Sequence, residues 1–243
     1  MMINAAVRLI RVILCSMLVL LLSGCITNAI NNSGNSSGFK LSNLAKTEID
    51  SVTDMHIREI RRLSRELAIK LYKRNPKELA KAPPGTTLET RINQLFGNPR
   101  AKGFSELRGA DGISAIPVSF ADDFQGDRVF ALMAGISGML HAAYNHQDEF
   151  FILDEIDHQK LYNSARNLEA IAWQLNNRRD SSGGLYILSN GTSPEGIRNL
   201  SYERIFGKLI SLQDMMALLI ADTTNRTITK VVHSAASMTL LPI

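Results

Sequence analysis

The chain has 243 residues, with 27 Lys plus Arg against 23 Asp plus Glu, a formal charge of +4 and 45% hydrophobic residues. That length and apolar content suffice for one domain with a sizeable core, and the charge excess is too mild to argue for a nucleic-acid partner. Both cysteines, Cys15 and Cys25, lie near the start, so the body of the chain is without disulfides, thiolate metal sites and cysteine nucleophiles. At the amino-terminal end Arg8 and Arg11 precede an apolar run over residues 12–22 that stops at Leu22-Ser23-Gly24-Cys25. A basic start, a short apolar run and small residues before a break form the pattern of a signal peptide, too short to span a bilayer comfortably as a permanent helix. Removing that segment takes away Arg8 and Arg11 and lowers the charge from +4 to +2.

Leu22, Ser23, Gly24 and Cys25 together resemble the lipobox of bacterial lipoprotein precursors. The resemblance implies loss of residues 1–24, a thioether-linked diacylglyceryl on Cys25, and a further palmitate-type chain on the new amino group. At about 0.8 kcal/mol per buried methylene, two or three such chains anchor firmly where one would not. The alternative is an uncleaved signal anchor with Cys25 an incidental thiol. Ile26 stands where enterobacterial lipoproteins retained in the inner membrane carry aspartate. By that resemblance the protein is expected in the outer membrane, facing the periplasm, with inner-membrane retention as the alternative.

Residues 25–46 are rich in Asn, Ser and Gly and read as a flexible tether. Two catalytic spacings inside it, Gly34-Ser36-Gly38 and Ser37-Lys40, lack the strand, helix and companion motifs that such chemistry needs. The first helix is expected over residues 47–74, with Ile49, Val52, His56, Ile60, Leu63, Leu67 and Leu71 as its apolar stripe and Asn75-Pro76 as its stop. His56 on that stripe reads as a hydrogen-bonded core histidine. Arg58, Arg61, Arg62, Arg65, Lys70, Lys73 and Arg74 outnumber Glu59 and Glu66, which makes a solvated basic face or a contact for anionic lipid or an acidic partner. A short helix over residues 87–96 follows, with a capping box at Thr86 and Glu89 and a stop at Gly97. Residues 98–127, broken by glycines, read as an irregular connector in which residues 113–120 form a helical turn or a strand.

Asp127 is the expected cap of an unusually apolar central helix over residues 128–145. Ala131, Gly135, Gly138 and Ala142 give that helix a face of small residues, which admits another backbone at close range. After it comes the densest group of chemically capable side chains, and His141, His146, Glu149 and His158 are the candidate ligands for a divalent metal or for acid-base work. A spacing of five puts His141 and His146 on different faces of a continuous helix, and no His-Glu-x-x-His pattern is present. Asp154, Glu155 and Asp157 read as caps for a helix over residues 157–177 striped by Leu161, Ala165, Leu168, Ala172 and Leu175. Trp173 on that helix is expected to pack in the core. Residues 185–188 read as a short strand, Ser201 as the cap of a helix over residues 202–224, and residues 227–238 as a final helix after a break at Asn225. The apolar terminus at residues 240–243 is expected to dock onto the body.

The expected architecture is a mainly α bundle of five or six helices around a buried central helix, with irregular connectors and one helical domain over residues 47–243. Residues 130–138, 161–168 and 202–208 also resemble stretches of uncharacterised proteobacterial lipoproteins, a likeness that implies no activity. Dinucleotide, P-loop and zinc-protease fingerprints are absent, and no cofactor is expected. The leading functional expectation is a non-enzymatic structural or accessory subunit, bound to the bilayer through acylated Cys25 and to another envelope protein through its helical domain. The alternatives are a metal-dependent hydrolase and a lipid-binding or membrane-perturbing protein.

Overall fold

The computed structural model describes residues 47–151, 153–230 and 239–243. The signal peptide, Cys25 and the tether lie outside the described residues, as do residues 231–238 of the expected last helix. Helix α1 (Glu48–Arg74) starts at a capping box: Thr47 Oγ1 accepts the Asp50 N–H, and the Asp50 carboxylate accepts the Thr47 N–H at 2.7 Å. From Ile57 onward its buried face follows the expected stripe. Its first turns are rotated instead: Asp50, Thr53 and Asp54 face inward, Val52 is 37% exposed and His56 is half-buried. The inward carboxylate is functional in the packing, because Asp54 Oδ1 accepts the buried Phe150 N–H at 2.9 Å. His56 Nδ1 makes no hydrogen bond among the described residues, so it is not the satisfied core histidine that its position suggested.

Helix α2 (Pro76–Leu79) is a single turn, and α3 (Leu88–Phe96) is capped by Thr87, whose hydroxyl accepts the Thr90 N–H at 3.1 Å. The cap is therefore one residue later than the Thr86 capping box. The connector then folds over the core as two 3-10 turns and a short helix α4 (Ala115–Ser119), which makes residues 113–120 helical rather than a strand. Helix α5 (Arg128–Ala143) is the centre of the molecule. All its residues except His141 and Ala142 are buried, and it touches α1, α2, α3, α4 and the following long helix α6 (His158–Asn177). Its expected cap is present, with Asp127 Oδ1 accepting the Phe130 N–H at 2.9 Å.

The small face of α5 receives the connector. A Cβ on Gly135 would lie 2.4 Å from Ile116 Cγ1 and 2.9 Å from its backbone nitrogen, and one on Gly138 would lie 2.6 Å from Gly112 Cα. Helix α6 is capped by Asp157 and buries the stripe expected of it, but Trp173 lies off that stripe and is 38% exposed. Asp154 serves a turn instead, accepting the Phe151 N–H at 2.8 Å. Residues 185–188 form only a lone bridge from Leu185 to Arg179, while a two-residue antiparallel pair, β1 (Gly191–Thr192) with β2 (Arg198–Asn199), stands where none was expected.

Helix α7 (Ser201–Thr223) runs antiparallel to α6, with Asn176 meeting Glu203 and Ser164 meeting Gln213. Ser201 does not cap it; the Asn199 carboxamide oxygen accepts the Ser201 N–H at 3.1 Å. Asn225 follows its end at a φ of 52°, and residues 227–230 have no regular secondary structure where a helix was expected, with Gln159 bonded to both the N–H and the carbonyl of Thr229. The apolar terminus docks as expected: Asn167 pairs with Leu241 N–H and C=O at 2.6 and 2.9 Å, and Asn163 donates to the Pro242 carbonyl. The described residues are thus mainly helical, seven α-helices with almost no strand.

Candidate functional site

Two features of the domain stand apart from its packing. The first is a cavity of about 60 Å³ where α1, the end of α3, the start of the connector and the end of α5 meet. Its walls are mostly apolar, from Ile57, Ile60, Leu95, Phe96 and Leu140. Ser64 from α1, Arg100 from the connector, and Gln147 and Asp148 from the loop after α5 complete the lining. Ser64 falls on the inward side of α1 because it shares the helical stripe of Ile57, Ile60 and Leu67. Arg100 is placed by α5: its Nη2 donates to the Ala134 carbonyl at 3.0 Å, and Gly138 leaves the room it needs. Arg61 sits at the mouth, where it donates to the Phe96 and Gly97 carbonyls and so occupies the free carbonyl end of α3.

His141 also lines this cavity, and the fold brings His146, which does not line it, against the His141 ring. Helix α5 stops at Ala143, and Asn145 and His146 take left-handed φ values of 52° and 62°, so the chain doubles back with the His146 N–H on the His141 carbonyl. The two Nδ1 atoms come to 3.4 Å, and His141 Nε2 lies 3.8 Å from Asp148 Oδ1. The spacing argument failed here because it assumed that the helix continued through residue 146. Burial lowers the His141 pKa below its ordinary value, opposed by Asp148 and reinforced by His146 and Arg100, and burial lowers that of His146 as well. The other two candidates do not join them. His158 faces the Thr227 carbonyl at the start of α6, and neither it nor Glu149 lines the cavity. Among the described residues no group of three or more His, Cys, Asp or Glu is placed to hold a metal ion.

No protein-family model, curated protein or solved structure matches this chain.

Among the described residues the Ser64 hydroxyl has no hydrogen-bond partner, and His141 Nδ1 lies 3.4 Å from His146 Nδ1. Ser64, Arg100 and Gln147 were missed at the sequence level. The available signal was Ser64, a hydroxyl standing at a core position between Leu63 and Leu67.

The second feature is a surface. Helices α1 and α7 are antiparallel, with the Tyr202 hydroxyl on the Lys70 carbonyl at one end. Toward the other end a shallow groove is lined by His56, Glu59, Leu63, Lys208, Leu212 and Met215. Met215 on that lining is 61% exposed, and the same two helices expose Met55 at 61% and Leu218 at 59%. Of the basic residues noted on α1, Arg62 is neutralised by Glu59 and Glu66, leaving a mixed rather than a uniformly basic face. No helix among the described residues is long and apolar enough to cross a membrane.

Proposed function

We propose that this chain is a lipid-anchored envelope protein, held in the outer membrane through acylated Cys25 and facing the periplasm. Its helical domain acts as a non-enzymatic accessory subunit that binds another envelope protein. The observation that supports the binding role is the α1–α7 groove with Met215, 61% exposed, on its lining, on helices that also expose Met55 and Leu218. Exposed apolar clusters rimmed by polar residues mark interaction surfaces, and methionine adapts to a partner's shape at small cost. Lys208 and Arg204 on its rim suit a partner helix with an apolar face and acidic flanks. The lipobox resemblance supports the anchor, and Thr47, where the expected tether ends, opens the helix that carries Met55.

The test is cross-linking of the acylated chain in intact cells, followed by purification from solubilised membranes and mass spectrometry. One stoichiometric companion is expected with the wild type, reduced several-fold both in Cys25→Ser, which cannot be acylated, and in Met215→Lys, which places a charge on the patch. Absence of any companion, or a companion retained in full by Met215→Lys, would overturn the assignment.

A further inference from the structure

Helix α1 carries Arg58, Arg61, Arg62 and Arg65, and all of them line one groove of about 290 Å³ between α1 and α3. That spacing is unfavourable by itself. Like charges three or four residues apart on a helix surface repel, and 58 with 61, 58 with 62, 61 with 65 and 62 with 65 are all such pairs. Arg61 and Arg62 have partners: Arg61 donates to the Phe96 and Gly97 carbonyls and lies 3.5 Å from Asp148, and Arg62 pairs with Glu59 and Glu66. Arg58 and Arg65 are exposed and make no hydrogen bond or ion pair among the described residues. They stand on the same face of α1, two turns or roughly 10 Å apart, which lets two long side chains reach one small anion between them. No carboxylate is among the described residues that line the groove. Its other walls are Asn93, whose carboxamide can donate, and the apolar Ile92 and Phe96.

We propose that this groove binds a phosphate monoester. The phosphate oxygens accept from Arg58 and Arg65, with the Asn93 carboxamide as a further donor, and the organic group lies along Ile92 and Phe96. Charge agrees, because a phosphate monoester carries about two negative charges near neutral pH and so matches the two unpaired guanidiniums, where a carboxylate would meet only one of them. Donor geometry agrees as well: a guanidinium presents paired N–H groups that fit the oxygens of a phosphate, and the cationic wall of this groove is arginine throughout, with no lysine. The apolar wall favours an ester over the bare ion, which would leave it unused. A lipid headgroup and a soluble phosphate ester offer the same chemistry. None of these residues lines the α1–α7 groove, so the proposal does not rest on the partner-binding reading.

Isothermal titration of the full chain in maltoside detergent tests it, with glycerol 3-phosphate, inorganic phosphate, and phosphatidic acid carried in the same detergent as probes. Saturable binding of glycerol 3-phosphate or phosphatidic acid is expected, several-fold tighter than that of inorganic phosphate. Phosphatidic acid binding the tighter of the two by roughly tenfold assigns a lipid headgroup, and glycerol 3-phosphate binding as tightly or more so assigns a soluble ester. Arg58→Gln combined with Arg65→Gln should weaken binding by roughly tenfold or more, the scale of one charge-assisted hydrogen bond. Lys73→Gln combined with Lys77→Gln removes the same charge from exposed positions outside the groove and should change binding by less than about twofold. All four substitutions are at exposed positions, and melting temperatures equal to the wild type check that the fold is kept. No saturable binding of either ester, inorganic phosphate bound as tightly as the esters, or an equal loss in the lysine pair would overturn the proposal.

Discussion

Arg91 shows how a single side chain closes the top of this fold. Its side chain is fully buried, its guanidinium grips Glu106 through two 2.6 Å hydrogen bonds, and its Nε donates to Asp127 at 3.2 Å. Tyr72 adds a 2.8 Å hydrogen bond to the same Asp127 oxygen, and the guanidinium lies 3.7 Å above the Phe130 ring. Burial pushes the Asp127 carboxyl up, while Phe130 N–H, Tyr72 and Arg91 favour its charge. Arg91→Met strands that carboxylate in the interior and is expected to cost about 3–5 kcal/mol in urea denaturation. Arg91→Lys should recover little, because an ammonium cannot reproduce the two-pronged grip. His141 sets a pH dependence of the opposite origin. Its folded pKa lies below the unfolded value of about 6.5, so below that pH the unfolded chain takes up a proton that the folded state refuses. Thermal stability should therefore fall as the pH drops from about 7.5 to 5.5, and His141→Gln should reduce that loss. His56 and His146, depressed in the same direction, leave a residual slope.

At the scale of elements, the small face of α5 was legible as a place where a backbone comes close, and the structure shows which backbone it is. The connector presses Ile116 and Gly112 against Gly135 and Gly138, which is how a segment without long helices becomes part of the core. Gly135→Ala or Gly138→Ala should each destabilise by about 1–3 kcal/mol, since the added methyl meets backbone that has nowhere to go. Gly207 is the contrasting case. It lies exposed within α7 with open space around it, so Gly207→Ala should stabilise by about 0.5–1 kcal/mol through helix propensity alone. A melting series of the three variants separates these signs. The first turns of α1 were misread for a related reason: hydrophobic spacing points Val52 inward, but Asp54 is turned in to receive the Phe150 N–H. A polar tie to a distant loop outranked local periodicity.

Across the whole domain, one hydrophobic cluster joins every long helix, and a few polar side chains stitch the loops to it. Asn75 takes both backbone groups of Leu188, Asn167 does the same for Leu241, and Tyr144, Gln213 and Ser164 form a buried chain linking α5, α7 and α6. A single shared core predicts a single cooperative transition. The helical domain should melt in one step. Two resolved transitions in calorimetry would show that the core is divided.

What the sequence by itself determined is the helical class, the positions of the four long helices, the caps at Asp127 and Asp157, and the small face of α5. These follow from apolar spacing and capping, which act within a few turns of one helix. Only the tertiary structure decided which polar residues meet: Arg91 with Glu106 and Asp127, His141 with His146, and Ser64, Arg100 and Gln147 around one cavity. Those groups come from separate elements, and their meeting depends on where helices stop and how connectors fold back, which no local pattern records.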